Sequence, residues 1–231
     1  MSTRPSRGAA RRRGAGSQRT VERHVPADWT GGLPVFVPQG YEPGYDYPLL
    51  VWLPDPGAKP FDLGRAMART SLRNFVAVQP RVAGSGAGGE SVWRAIDRVA
   101  SRLSIHPRRT YLIGQGAGGS EAFRIACRQP ESFAGVVSLG GPFPLDEGLF
   151  ARIETLRRLP MLLCCDSADV ASGAAAIDRT LRLFHAAGAM LSLRIYPGGK
   201  NLSRTRLADV NRWIMEDVCG SATSLQPHGV T

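Results

Sequence analysis

Cysteine and histidine are scarce, four of each in 231 residues. Cys127, Cys164, Cys165 and Cys219 show no metal-ligand spacing, and the vicinal pair cannot readily bridge itself. His24, His106, His185 and His228 form no cluster and no motif pairs them with the cysteines, so no metal site and no cofactor are expected. No stretch approaches the roughly 18 apolar residues of a membrane-spanning helix. No apolar segment of a signal peptide follows Arg11 to Arg13. These absences point to a cytoplasmic chain with reduced thiols. Acidic residues are also few, 19 against 29 basic ones, for a net charge of +10. Much of the excess lies in residues 1–24, where seven arginines face the single acid Glu22. That segment is rich in Gly, Ser and Arg and too poor in apolar residues to offset the entropy of ordering. A disordered basic tail is therefore expected over residues 1–28. It offers contact with an anionic surface or nucleic acid, or else serves as a solvated arm. A flexible tail is expected at 221–231.

What is present between the tails, residues 29–220, is enough for one α/β domain, and the apolar fraction of the whole chain, 43%, is ordinary. Its organising stretch runs from 110 to 140. The apolar run Tyr111-Leu-Ile113 leads into the turn Gly114-Gln115-Gly116-Ala117-Gly118-Gly119. Apolar residues at helical spacing follow at Ala122, Phe123, Ala126 and Cys127, and then a second run, Gly135-Val-Val-Ser-Leu139. This is a strand, turn, helix, strand unit and implies a parallel sheet. Read as GxGxxG, the turn would be a dinucleotide fingerprint. That motif belongs to the first βα unit and needs an acid about 20 residues on, whereas here it is mid-chain and Val136 to Gly141 holds no carboxylate. Read as G-x-S-x-G, the turn would be a nucleophile elbow with Gly116 where the serine belongs.

With its flanks, TYLIGQGAGGSEAFRIACRQPESFAGVVSLGG resembles the phospholipase/carboxylesterase branch of the α/β-hydrolase superfamily, which shows GxSAGG here, then P-x-x-F-AG and SLGG. The likeness spans about residues 46 to 218. It implies a mostly parallel sheet with helices on both faces, and a Ser-His-Asp triad whose three positions fall on Gly116, Asn201 and Asp169. Asn201 stands in Tyr196-Pro-Gly-Gly-Lys-Asn201 where the family has its histidine, and an amide cannot act as general base near neutral pH. Asp169 matches the family's acid in Cys165-Asp166-Ser-Ala-Asp169, while Cys165 and Asp166 replace a His-Gly pair. The oxyanion loop, L-H-G-x-G in the family, reads Leu53-Pro54-Asp55-Pro56-Gly57, and proline has no N–H to donate. The second donor would be the N–H of Ala117. Loss of one donor typically costs ~10²–10³ in turnover. The Pro54 to Gly57 stretch also reads simply as a stiff turn.

Along the chain, strands are expected at Leu33 to Pro38, Pro48 to Leu53, Asn74 to Val78, Met161 to Cys165 and Leu191 to Tyr196. Helices are expected at Asp62 to Arg73, Glu90 to Leu103, Asp178 to Ala187 and Leu207 to Val218, with helical character in Leu149 to Leu159. Pro107 is expected to break the chain before the elbow strand. Arg81 to Gly89 is a glycine-rich loop without the lysine and hydroxyl of a P-loop. Asp55, Asp169, Lys200 and Asn201 are placed on loops at strand ends, where parallel sheets form their crevices. Cys165 and Lys200 are pocket candidates.

The joint substitutions favour a binding or interaction module on a hydrolase scaffold that has lost serine hydrolysis. Its partner would be a small molecule or a protein. Two alternatives stand beside it: a carboxylesterase of altered mechanism, for which Cys165 is the least implausible nucleophile, and a nucleotide-binding enzyme. Ser120 reads as a first-turn hydroxyl of the elbow helix, and His185 as a helix residue among apolar neighbours.

Overall fold

Continuous apolar runs too short for helices form strands covered on both faces, and such runs build the centre of this molecule. The computed structural model describes residues 30–58, 60–81, 88–144, 156–198 and 202–218. The expected tails, the loop residues 82–87 and most of the expected segment Leu149 to Leu159 lie outside these. One sheet contains β1 (Val35–Phe36), β2 (Tyr47–Leu53), β3 (Val76–Val78), β4 (Ile105–Gln115), β5 (Gly135–Leu139), β6 (Met161–Asp166) and β7 (Leu191–Tyr196). Their spatial order is β1-β3-β2-β4-β5-β6-β7. β1 runs antiparallel to β3, and the other neighbours pair in parallel.

The helices are α1 (Leu63–Thr70), α2 (Gly88–Ala100), α3 (Ala117–Arg128), α4 (Ser167–Ala187) and α5 (Arg204–Arg212), the last continuing as a π-helical turn over Trp213–Val218. Side chains alternate across a strand, and here the alternation divides the core in two. Leu49, Val51 and Leu53 of β2 join Leu112, Val136 and Leu163 under Val92 and Val99 of α2, Phe123 of α3 and Phe184 of α4. Leu50 and Trp52 turn to the other face, with Ile113, Val137 and Leu162, and meet Met67 of α1 and Leu207, Val210 and Trp213 of α5. The result is a three-layer α/β/α fold, as the sequence leads one to expect.

Three local expectations are corrected. Pro107 does not precede the elbow strand but lies within β4, where the ladder to β2 jumps from Tyr47↔Ile105 to Leu49↔Thr110. A proline without an N–H is accommodated at such a register break. Asp169 lies in the first turn of α4, not on a loop, because the helix starts at Ser167 directly after β6. That helix is also longer than expected, and Gly173 leaves helical geometry within it (φ −122°, ψ 21°).

The elbow unit is held by contact between backbones. A Cβ on Gly118 would lie 2.1 Å from the Leu53 carbonyl oxygen and 2.6 Å from that of Pro54, so α3 docks on the end of β2 with no room for a side chain. Gly118→Ala is therefore expected to cost at least the ~1–3 kcal/mol of ordinary overpacking, read as a lower urea midpoint. Gly44→Ala, where nothing lies within 4 Å, should leave that midpoint nearly unchanged.

Candidate active-site crevice

Parallel pairing brings the carboxyl ends Leu53, Gln115, Leu139, Asp166 and Tyr196 to one edge of the sheet. At its middle, β4 turns sharply into α3 through Gly116. This residue has φ 53° and ψ −125°, a conformation strained for any residue with a side chain. Its N–H donates to the Leu139 carbonyl at 3.0 Å, which ties the corner to β5.

The space over Gly116 is occupied. A Cβ built on Gly116 would lie 2.2 Å from Asp55 Oδ2 and 2.8 Å from the Asp55 carboxyl carbon. Asp55 is held there by its own turn. Its Oδ1 accepts the Gly57 N–H at 3.0 Å, and its carbonyl accepts the Ala58 N–H at 3.1 Å. Pro56 fixes the turn between them. Pro54 to Gly57 is thus a turn that delivers a carboxylate to the elbow. Ala117, the first residue of α3, is exposed beside it.

Two serines near the elbow are engaged, and two histidines stand far from it. Ser120 is buried and donates to the Pro142 carbonyl at 2.7 Å. Ser138, fully buried, donates to the Gly141 carbonyl at 2.8 Å. His106, half-buried, stands at the start of β4 and His185, exposed, at the end of α4, both at the sheet edge opposite Gly116. His24 and His228, like Lys200 and Asn201, lie outside the described residues. Cys165 is 9% exposed at the end of β6. Among the described residues no group of three or more metal-ligating side chains occurs.

A charged pair that the sequence reading missed lies beneath the crevice. Asp166, which the resemblance treats only as a replacement for glycine, receives Arg206 Nη2 on Oδ1 at 2.5 Å, with the two side chains 3% and 2% exposed. The Arg206 guanidinium also lies 4.8 Å from the centre of the Tyr196 ring, and the Tyr196 hydroxyl donates to Asp209 Oδ2 at 3.1 Å. Asp166 Oδ2 and Arg206 Nε and Nη1 are buried without a partner among the described residues. The one available signal was a carboxylate ending the otherwise apolar run Met161 to Cys165, with no sign of which basic residue would reach it.

Burial pushes the Cys164 thiol from 9.0 up to about 12, against smaller opposing pulls from Tyr196, Arg206 and Arg194. Burial alone takes Cys127 to about 12. Tyr196 is also raised, first by burial and then by Cys164 and Asp209.

No family model and no curated protein sequence matches the chain. Solved structures do. S-formylglutathione hydrolase from Staphylococcus aureus aligns with a TM-score of 0.60 at 14% identity, over 73% of this chain and 81% of that one. Esterase 2 of Thermogutta terrifontis, phosphoramylated by tabun, gives 0.62 at 14%, over 80% and 89%. The Bacillus cereus carboxylesterase gives 0.59 at 13%, over 82% and 97%. The chain has the α/β-hydrolase fold. At these identities the likeness is one of architecture, and what an α/β-hydrolase scaffold does depends on the groups at its crevice.

Two measurements test the polar layer. Arg206→Ala leaves Asp166 buried and unpaired, a change that typically costs about 3–5 kcal/mol, so its unfolding midpoint should fall steeply. The unfolded thiols ionise near pH 9.0 and the folded ones only near 12. The stabilisation they contribute is thus complete below pH 9 and is lost as pH rises toward 12. Urea titrations across that range should show the loss, and Cys127→Ala with Cys164→Ala should reduce it.

Proposed function

We propose that the protein is a non-hydrolytic binding module on the α/β-hydrolase scaffold, its crevice presenting a fixed carboxylate where hydrolases present a nucleophile. The observation that carries this reading is the Asp55 carboxylate lying over Gly116, in the space a serine side chain would need. The half-buried Asp55 carboxylate favours a ligand that brings N–H, O–H or cationic groups to it. Further support comes from Ser120, whose hydroxyl is committed to Pro142, and from His106 and His185, which stand at the far sheet edge. The reading keeps Gly116, Asn201 and Asp169 as the triad-equivalent positions. Removing nucleophile and base together abolishes a triad's function about as fully as removing either, on the order of 10⁶ in a serine protease. A cytoplasmic address belongs to it, consistent with the buried free thiols Cys127, Cys164 and Cys165.

The purified protein is expected to turn over p-nitrophenyl acetate no faster than a buffer control with matched thiol content, and to resist labelling by a serine-directed phosphonate. Turnover abolished by Asp169→Ala, or stoichiometric labelling, would overturn the reading. Gly116→Ser should lower stability by at least the ~1–3 kcal/mol of a strained backbone and add no esterase activity. In an Asp55→Gly background the same substitution should cost less, because the carboxylate it collides with has been removed.

A further inference from the structure

Away from the elbow, α1 and the start of α5 enclose an open recess of about 720 Å³ lined by Arg65, Ala68, Arg69, Leu202, Ser203 and Arg204. None of its lining residues is acidic. Its positive charges are placed against ordinary helix preferences. Arg65 and Arg69 stand four apart on one helix face, where like charges repel. Arg204 opens α5, whose first turn already carries the positive end of the helix dipole and holds no acidic residue. Arg69 has a structural task, since Nη1 donates to the Leu202 carbonyl at 2.5 Å and fastens α1 to the approach to α5. The Ser203 side chain caps α5 by accepting the Arg206 N–H at 3.2 Å. Arg65 and Arg204 are exposed, and neither forms an ion pair among the described residues.

We infer that this recess is an anion site that takes a phosphate group, free or carried by a small organic molecule. Guanidinium groups on two walls match the bidentate geometry of phosphate oxygens. An anion between them would relieve both the Arg65–Arg69 repulsion and the unfavourable charge at the start of α5. The volume falls within the roughly 300–1,000 Å³ of small-molecule pockets, and the Ala68 and Leu202 side chains offer an apolar wall for whatever carries the phosphate. Neither Asp55, Gly116 nor Asp166 lines the recess, so this inference stands or fails independently of the crevice.

The test is calorimetric titration of the full chain with inorganic monophosphate and, in a second arm, with phenyl phosphate. Arg65→Gln and Arg204→Gln are assayed beside a tail variant in which Arg11, Arg12 and Arg13 are Gln. Both arginines are exposed, and circular dichroism melts check that the variants stay folded. Saturable binding is expected, weakened about ten-fold by each pocket substitution, the scale of one lost charged hydrogen bond, and unaffected by the tail variant. Tighter binding of phenyl phosphate than of inorganic monophosphate would assign the carried form, and equal binding the free one. Absence of saturable binding to either probe, equal affinity in the folded Arg65→Gln/Arg204→Gln double variant, or loss of binding in the tail variant would overturn the inference.

Discussion

The contact on which the rest depends is backbone against backbone at the end of β4. Gly114 lies against the Gly118 carbonyl, and Gly118 against the Leu53 carbonyl, at separations that leave no volume for a Cβ. With α3 this close, the ends of β2, β4 and β5 meet at one point and Gly116 is forced into its left-handed turn. The two core layers then close over the sheet, because the strands that converge there are apolar on both faces.

That corner holds its shape whichever residue stands at its centre. The geometric demands fall on the flanking glycines, which are needed for packing whatever the central residue does. A glycine at the centre relieves strain and opens a space. In this chain the space is filled by Asp55, brought in by a proline-stiffened turn at the end of β2. The carboxylate lies near the N-terminal end of α3, where the helix dipole favours negative charge. Such an occupant is compatible with folding, its position fixed by its own backbone turn.

The layer beneath shows a second adjustment. Asp166 at the end of β6 is neutralised by Arg206 from α5, and the same arginine covers Tyr196. Both charges are nearly fully buried with polar atoms left over. Such a pair adds little net stability but fixes how α5 sits on the sheet, because either charge alone would be costly there. The approach to α5 is fixed a second time by Arg69 gripping Leu202.

Period and punctuation made the strands, the helices, the elbow turn and the three-layer class legible in the sequence, because burial on both faces requires continuous apolar strands and a tight strand-to-helix corner requires glycine. What stands at Gly116 and in the Pro54 to Gly57 loop reads as a substitution only against the family pattern that the flanking residues resemble. Register and long-range partnership were not. Pro107 fits inside β4 only because the ladder to β2 shifts there, and Asp169 became helical because β6 leads straight into α4. The pairing of Asp166 with Arg206, 40 residues apart, and the arrival of Asp55 over Gly116, 61 positions further along the chain, were decided only by tertiary structure. A side chain's partner depends on where the parallel strands bring their ends together, and no local pattern of residues encodes that meeting.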